Sequence, residues 1–204
     1  MRKKVLLIVC MWILFCINVR ADTYLGSISV WETLNNSIGR WNADSLTVGH
    51  QKLNNNTSFP FAGSMANGTV KWTSALNVMI SIVSGITSAD IPAYGGSTAQ
   101  LVSKGFSVSD NEAGRCKVTG YLEGYWYFGT SAKAGNIIVA SSVGIVDYSS
   151  SWGVNEYTCV ATHELGHALG WLGHSFYPGD IMWESFNGVT TLQTAEKLHL
   201  SQIY

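Results

Sequence analysis

The sequence predicts a mixed α and β domain, and three observations lead there. Strand-like and helix-like apolar spacings follow one another in the order strand, helix, several strands, helix. No internal repeat or low-complexity linker divides the chain. Beyond about residue 170 the pattern becomes irregular until one last helix, so a small C-terminal subdomain, about 171–204, should follow the main body.

The N-terminus is read apart from the fold. Arg2, Lys3 and Lys4 precede an unbroken apolar run from Val5 to Ile17, and Val19 and Ala21 supply the small residues that a signal peptidase reads. The run is shorter than the roughly twenty residues that cross a bilayer. Residues 1–21 are therefore expected to be a signal peptide, and residues 22–204 an exported domain. That domain would be extracellular, or periplasmic in a Gram-negative bacterium. No second hydrophobic span follows, so no membrane contact is expected after cleavage. Twelve Lys and Arg against thirteen Asp and Glu leave a net charge of −1, with no basic patch for nucleic acid. A monomer is expected.

Leu46 to Leu53 reads as a modest strand, and residues 54–58 as a polar loop into Phe59–Pro60. Trp72, Ala75, Leu76, Met79, Ile80 and Val83 fall on one helical stripe, ended by Gly85. Ile91 to Tyr94 reads as a short strand closed by Gly95–Gly96. Val118 to Phe128 is aromatic and β-prone, and Ile137 to Ala140 has the β-branched character of a central strand. A second helix begins near Asn155 or Glu156. The last runs from about Thr194 to Ile203, with Ala195, Leu198 and Ile203 facing inward.

The second helix carries the chemistry. His163 and His167 are four residues apart, which puts both imidazoles on one helical face, one turn apart, where they can share a zinc ion. Glu164 is offset around the helix and can reach a metal-bound water without binding the metal. Zinc would acidify that water and polarise a carbonyl, while Glu164 as general base takes the proton and passes it to the leaving group. A largely apolar helix has no solvation reason to carry His, Glu and His together.

A third ligand is needed, and an unbroken helix would place His174 about 16 Å along the axis from His163. The helix must therefore break, and Gly170 is the natural place. His174 can then fold back to complete a three-histidine site; Asp180 and Glu184 are the competing third ligands.

HELGHALGWLGHS followed by YPGDIMW resembles the metzincin signature, and its matrixin branch in particular. His163, Glu164, His167, Gly170 and His174 fit the pattern HExxHxxGxxH, and Met182 fits the methionine turn beneath the metal. The likeness implies a zincin-like fold with a twisted, mainly parallel sheet, and a zinc-dependent endopeptidase acting on protein or peptide substrates. Three residues rather than two separate Gly170 from His174, so the loop must take up one more. Only His50 and His199 lie outside the motif, too few for the second, structural zinc of that family, and both are read as surface residues. Calcium could still bind through backbone and Asp oxygens. Some metzincin branches carry, just after the methionine, a tyrosine that reaches the metal; Trp183 and Glu184 stand there instead, so no such fifth ligand is expected.

Cys116 and Cys159 remain after signal removal. They are candidates for a disulfide, or for a free thiol that ligates zinc in a latent form. The segment 121–128 is a candidate edge strand for an extended substrate. Two other functions compete with endoproteolysis. One is a binding module for carbohydrate or cell wall, with Tyr125, Trp126 and Tyr127 stacking on sugars. The other is a zinc hydrolase of a non-protein substrate.

Overall fold

A computed structural model describes residues 39–128, 131–201 and 203–204, with backbone alone for 120–136. The expected signal peptide lies outside the described residues. In chain order the elements are β1 (Gly39–Trp41), β2 (Ser45–Lys52), α1 (Phe61–Thr73), β3 (Met79–Ser84), β4 (Ile91–Gly96), α2 (Thr98–Ser103), β5 (Gly114–Phe128), β6 (Ser131–Val146), α3 (Val154–Ala168) and α4 (Thr194–Ser201).

The strands form one sheet in the order β1-β6-β4-β2-β3, with β5 paired to β6. Every pairing is parallel except β5 with β6. A mainly parallel sheet in a mixed α and β domain is thus present as expected. The long β6 explains how six strands fit together. Its first half pairs β1 through Asn136–Ile138 and its second half pairs β4 through Val143–Val146, both along one side. The antiparallel β5 takes the other side along nearly its whole length. Strand β5 pairs with β6 alone and so forms a sheet edge among the described residues.

The first helix is not where the apolar stripe puts it. Met79–Ser84 is a strand, pairing β2 from Ser45↔Met79 to His50↔Ser84. Ile80 is buried while Met79 is 66% exposed, an alternation that a helix would not produce. Residues Met79, Ile80 and Val83 match helical spacing, but Ile80, Ile82 and Val83 are β-branched and the parallel ladder wins. The real helix, α1, buries Phe61, Ser64, Met65, Gly68, Thr69 and Trp72, the same spacing eleven residues upstream. Its stripe contains small polar residues because α1 lies close against α3. A Cβ on Gly68 would sit 3.1 Å from the Thr162 backbone nitrogen. Trp72 Nε1 donates to the Thr162 carbonyl at 2.7 Å, locking the two helices together.

Helix α2 has a local cause that the sequence carries openly. Ser97 accepts from the Gln100 backbone N–H and Gln100 reaches back to the Ser97 N–H, a complete capping box. In α4, Glu196 and Leu200 are the buried residues, and Leu198 is 43% exposed rather than inward. Ile203 is buried as expected. The apolar core lies between the sheet and the α1–α3 pair, with Trp72, Tyr157, Leu165 and Trp171 among its largest members.

Candidate active site

Helix α3 starts at Gly153, whose N–H is held by the Glu156 carboxylate, and runs beneath the cleft. Its end is a Schellman turn. The Trp171 N–H donates to the Gly166 carbonyl, the Gly170 N–H donates to the His167 carbonyl, and Gly170 has φ +115°. The remaining carbonyls of the last turn are also satisfied. Trp41 Nε1 donates to Ala168 at 2.8 Å and the Tyr204 hydroxyl donates to Leu169 at 2.7 Å. The expected helix break at Gly170 is therefore present, and the chain can turn back toward the imidazoles.

His163, His167 and His174 meet, with one ring nitrogen from each lying within 4.8 Å of the others. No second such cluster of three or more His, Cys, Asp or Glu exists among the described residues. Two of the rings are oriented from behind. His163 Nδ1 faces the Ile181 carbonyl at 2.7 Å and His167 Nδ1 faces the Trp171 carbonyl at 2.6 Å. A carbonyl only accepts, so both protons sit on Nδ1 and both Nε2 atoms present lone pairs. Those lone pairs converge at 3.0 Å. Two acceptors that close repel unless a cation lies between them. Tetrahedral ligands at zinc distances would stand about 3.3 Å apart, so the pair fits a zinc ion. Burial, above all, lowers His163 to about 4 and takes His167 well below its ordinary value, keeping both rings neutral as ligands must be.

The alternative ligands fall away from the cluster. Asp180 is buried and accepts from the Ser175 hydroxyl, while its own carbonyl accepts from Asn187. Glu184 is exposed in the cleft and does not join the three rings. Met182 is fully buried. A Cβ on Gly166 would lie 2.5 Å from its sulfur, so the methionine packs directly under α3. Its turn is pinned at three points: Ser175 N–H to the Met182 carbonyl, Trp183 N–H to the Asp180 carbonyl, and Met182 N–H to the Glu196 carboxylate at 2.9 Å. Sequence reasoning missed Glu196. Its signal was a carboxylate three residues after Gln193, whose N–H it also accepts.

Glu164 is buried beside the edge strand. Burial pushes its carboxyl up to about 8, while the Arg115 guanidinium and the Cys116 backbone N–H pull it down. A Cβ on Gly114 would lie 2.8 Å from the Glu164 carboxylate, so this glycine lets β5 approach it. The beginning of the edge strand, 114–118, lines the cleft, with residues 111–113 leading in. The side chains of Tyr125, Trp126 and Tyr127 lie outside the described residues.

Cys116 and Cys159 are separate thiols rather than a disulfide. Strand β5 carries Cys116 past Glu164, whereas Cys159 Sγ faces Asn187 Oδ1 at 3.6 Å. Burial raises both thiols, Cys159 to about 11, and neither joins the histidine cluster. His199 also departs from its expected surface position. It is half-buried against Trp171, with ring centroids 4.2 Å apart. His50 is half-buried beside Phe61.

Two cavities of about 450 and 460 Å³ flank the cluster and share Glu112, Gly114, His163, Glu164 and Glu184. No helix among the described residues is long and apolar enough to cross a membrane. The sequence model of the matrixin family matches residues 100–204, which cover slightly more than half of the chain and include every residue of this cluster. No curated protein matches the chain significantly.

Proposed function

Because the chain belongs to the matrixin family of metallopeptidases, we propose that it is an exported zinc-dependent endopeptidase in which His163, His167 and His174 hold the ion and Glu164 is the general base. The observation that carries this reading is the convergence of two Nε2 lone pairs at 3.0 Å, with His174 closing the group. When bound, zinc supplies an acidified water and a Lewis acid for the scissile carbonyl.

The chain's own residues account for the rest. The Ile181 and Trp171 carbonyls fix the tautomer and orientation of two ligands, the usual outer support of a histidine site. Glu164 lines both cavities beside His163. It is placed to take a proton from the nucleophile and deliver it to the departing amine. The edge of β5 at 114–118, unpaired on that side among the described residues, can pair with an extended peptide through backbone groups, leaving selectivity to the two flanking cavities. Residues 1–21 would serve as the export signal and be absent from the working enzyme.

A casein overlay comparing the wild type with Glu164→Ala tests the proposal. Loss of a general base should cut the rate by about 10²- to 10⁴-fold, so clearing should disappear. Equal clearing by the two proteins would refute proteolysis through this site.

A further inference from the structure

The cavity beside His163 combines two kinds of chemistry. One wall is an aromatic ladder in which Trp152 stacks on Phe186 with centroids 4.4 Å apart and lies 5.0 Å from Tyr148. Phe186 and Tyr148 keep 45% and 42% of their surface exposed, so the ladder offers ring surface to an occupant. Val160, Ile181 and Trp183 add apolar lining.

Facing the same space is an unengaged carboxylate. Glu184 is exposed and lines both this cavity and the one around His174. Among the described residues it makes no hydrogen bond or ion pair. The other carboxylates nearby are committed elsewhere: Glu112 pairs with Arg115, and Glu164 lies buried beside the histidines.

Rings that can cover an aliphatic stem, next to a carboxylate unpaired among the described residues, match a long cationic side chain. The guanidinium of arginine can lie over a ring face and meet a carboxylate in its plane, whereas lysine offers only a point charge. We propose that Glu184 makes this cavity select arginine, and less strongly lysine, at one of the two substrate residues flanking the scissile bond. The inference rests on the peptidase reading and adds to it the class of substrate. If the rings alone governed selection, a neutral bulky side chain would be preferred instead.

The test is a peptide series differing only at the flanking residues, with arginine, lysine, citrulline, leucine or phenylalanine there. Citrulline keeps the shape of arginine without the charge. A charge-assisted contact at a partly exposed site should favour arginine over citrulline about tenfold in kcat/KM, carried mainly by KM. Glu184→Gln should bring that ratio to about one, and Glu184→Lys should invert it. The preference should also shrink as salt is raised.

The same series, fluorescently labelled, is bound to the non-catalytic Glu164→Ala variant and followed by anisotropy, a readout that needs no turnover. Arginine-selective binding without cleavage of any peptide by the wild type would sink the peptidase reading but leave the selectivity of Glu184 standing. Equal handling of arginine and citrulline in both measurements, or an arginine preference that survives Glu184→Gln, overturns the inference.

Discussion

Gly170→Ala is the substitution on which the geometry of the third ligand can be judged. Gly170 has φ +115°, and an added Cβ would stand 2.1 Å from the Gly39 carbonyl oxygen of β1 and 3.3 Å from Ile203 Cδ1. Two costs follow. An L side chain at positive φ costs roughly 1–2 kcal/mol. Displacing a strand's backbone by about an ångström is an overpacking strain of about 1–3 kcal/mol. The sum, about 2–5 kcal/mol, is a large part of the 5–15 kcal/mol that ordinarily holds a domain together. Relief by shifting the turn would move His174, four residues on. Urea unfolding of the zinc-loaded protein should therefore show a midpoint lowered by about 1–2 M, and zinc affinity should fall with it. Gly63→Ala is the matched control. Gly63 is exposed in the first turn of α1 and an added Cβ meets nothing within 4 Å. Alanine there should be neutral or stabilise by up to about 1 kcal/mol. If Gly170→Ala were as stable as the wild type and bound zinc as tightly, the turn would not be what positions His174.

Two further outcomes are expected. His174→Ala should weaken zinc binding at least about a hundredfold in competition with a chromophoric chelator, whereas Asp180→Asn should leave the zinc content at one per chain; undiminished affinity in the first would rule out the three-histidine site. Acid should destabilise the protein through His199, whose imidazole burial lowers from 6.5 to about 3. The unfolded chain then takes up the proton first, so this stability is whole above 6.5 and is lost as pH falls toward 3. The loss reaches about 2 kcal/mol near pH 5. In zinc-loaded protein His199→Gln should remove that portion of the pH dependence of unfolding, and parallel profiles for the two proteins between neutrality and about pH 5 would refute it.

What could be read in advance was what depends on neighbours in the chain. The His163–Glu164–His167 face follows from helical spacing alone, and the break at Gly170 follows from the length of an unbroken helix. The misreading at 72–83 shows the limit. Trp72 lies in the last turn of one element and Met79 opens another, and periodicity cannot see the turn between them. Helix α1 escaped notice because its buried stripe holds Ser64, Gly68 and Thr69, residues chosen by the close approach of α3 rather than by hydrophobicity. The aromatic wall of the cavity beside His163 was equally hidden. Tyr148 and Trp152 share one loop, but Phe186 comes from a distant segment, and only packing brings it onto the same ladder. Asp180 looked available as a ligand because its partners, Ser175 and Asn187, are bound through a turn that the sequence does not announce.

The extra residue between Gly170 and His174 can be located by asking which of the three intervening residues are immobile. Trp171 is fixed at both backbone groups, its N–H by Gly166 and its carbonyl by His167 Nδ1. Its ring is fixed as well, 6.4 Å from Trp72 of α1 and 4.2 Å from His199 of α4. It is 1% exposed, so it cannot move without opening the core. His174 is held at the far end by the geometry of the triad. The added length therefore falls on Leu172 and Gly173, the only residues between these two fixed points. Trp171 thus does more than fill space. It joins the C-terminal helix, the first helix and the second histidine in one packed unit, so the position from which the chain swings back to His174 is set by the whole fold and not by the motif that announces it.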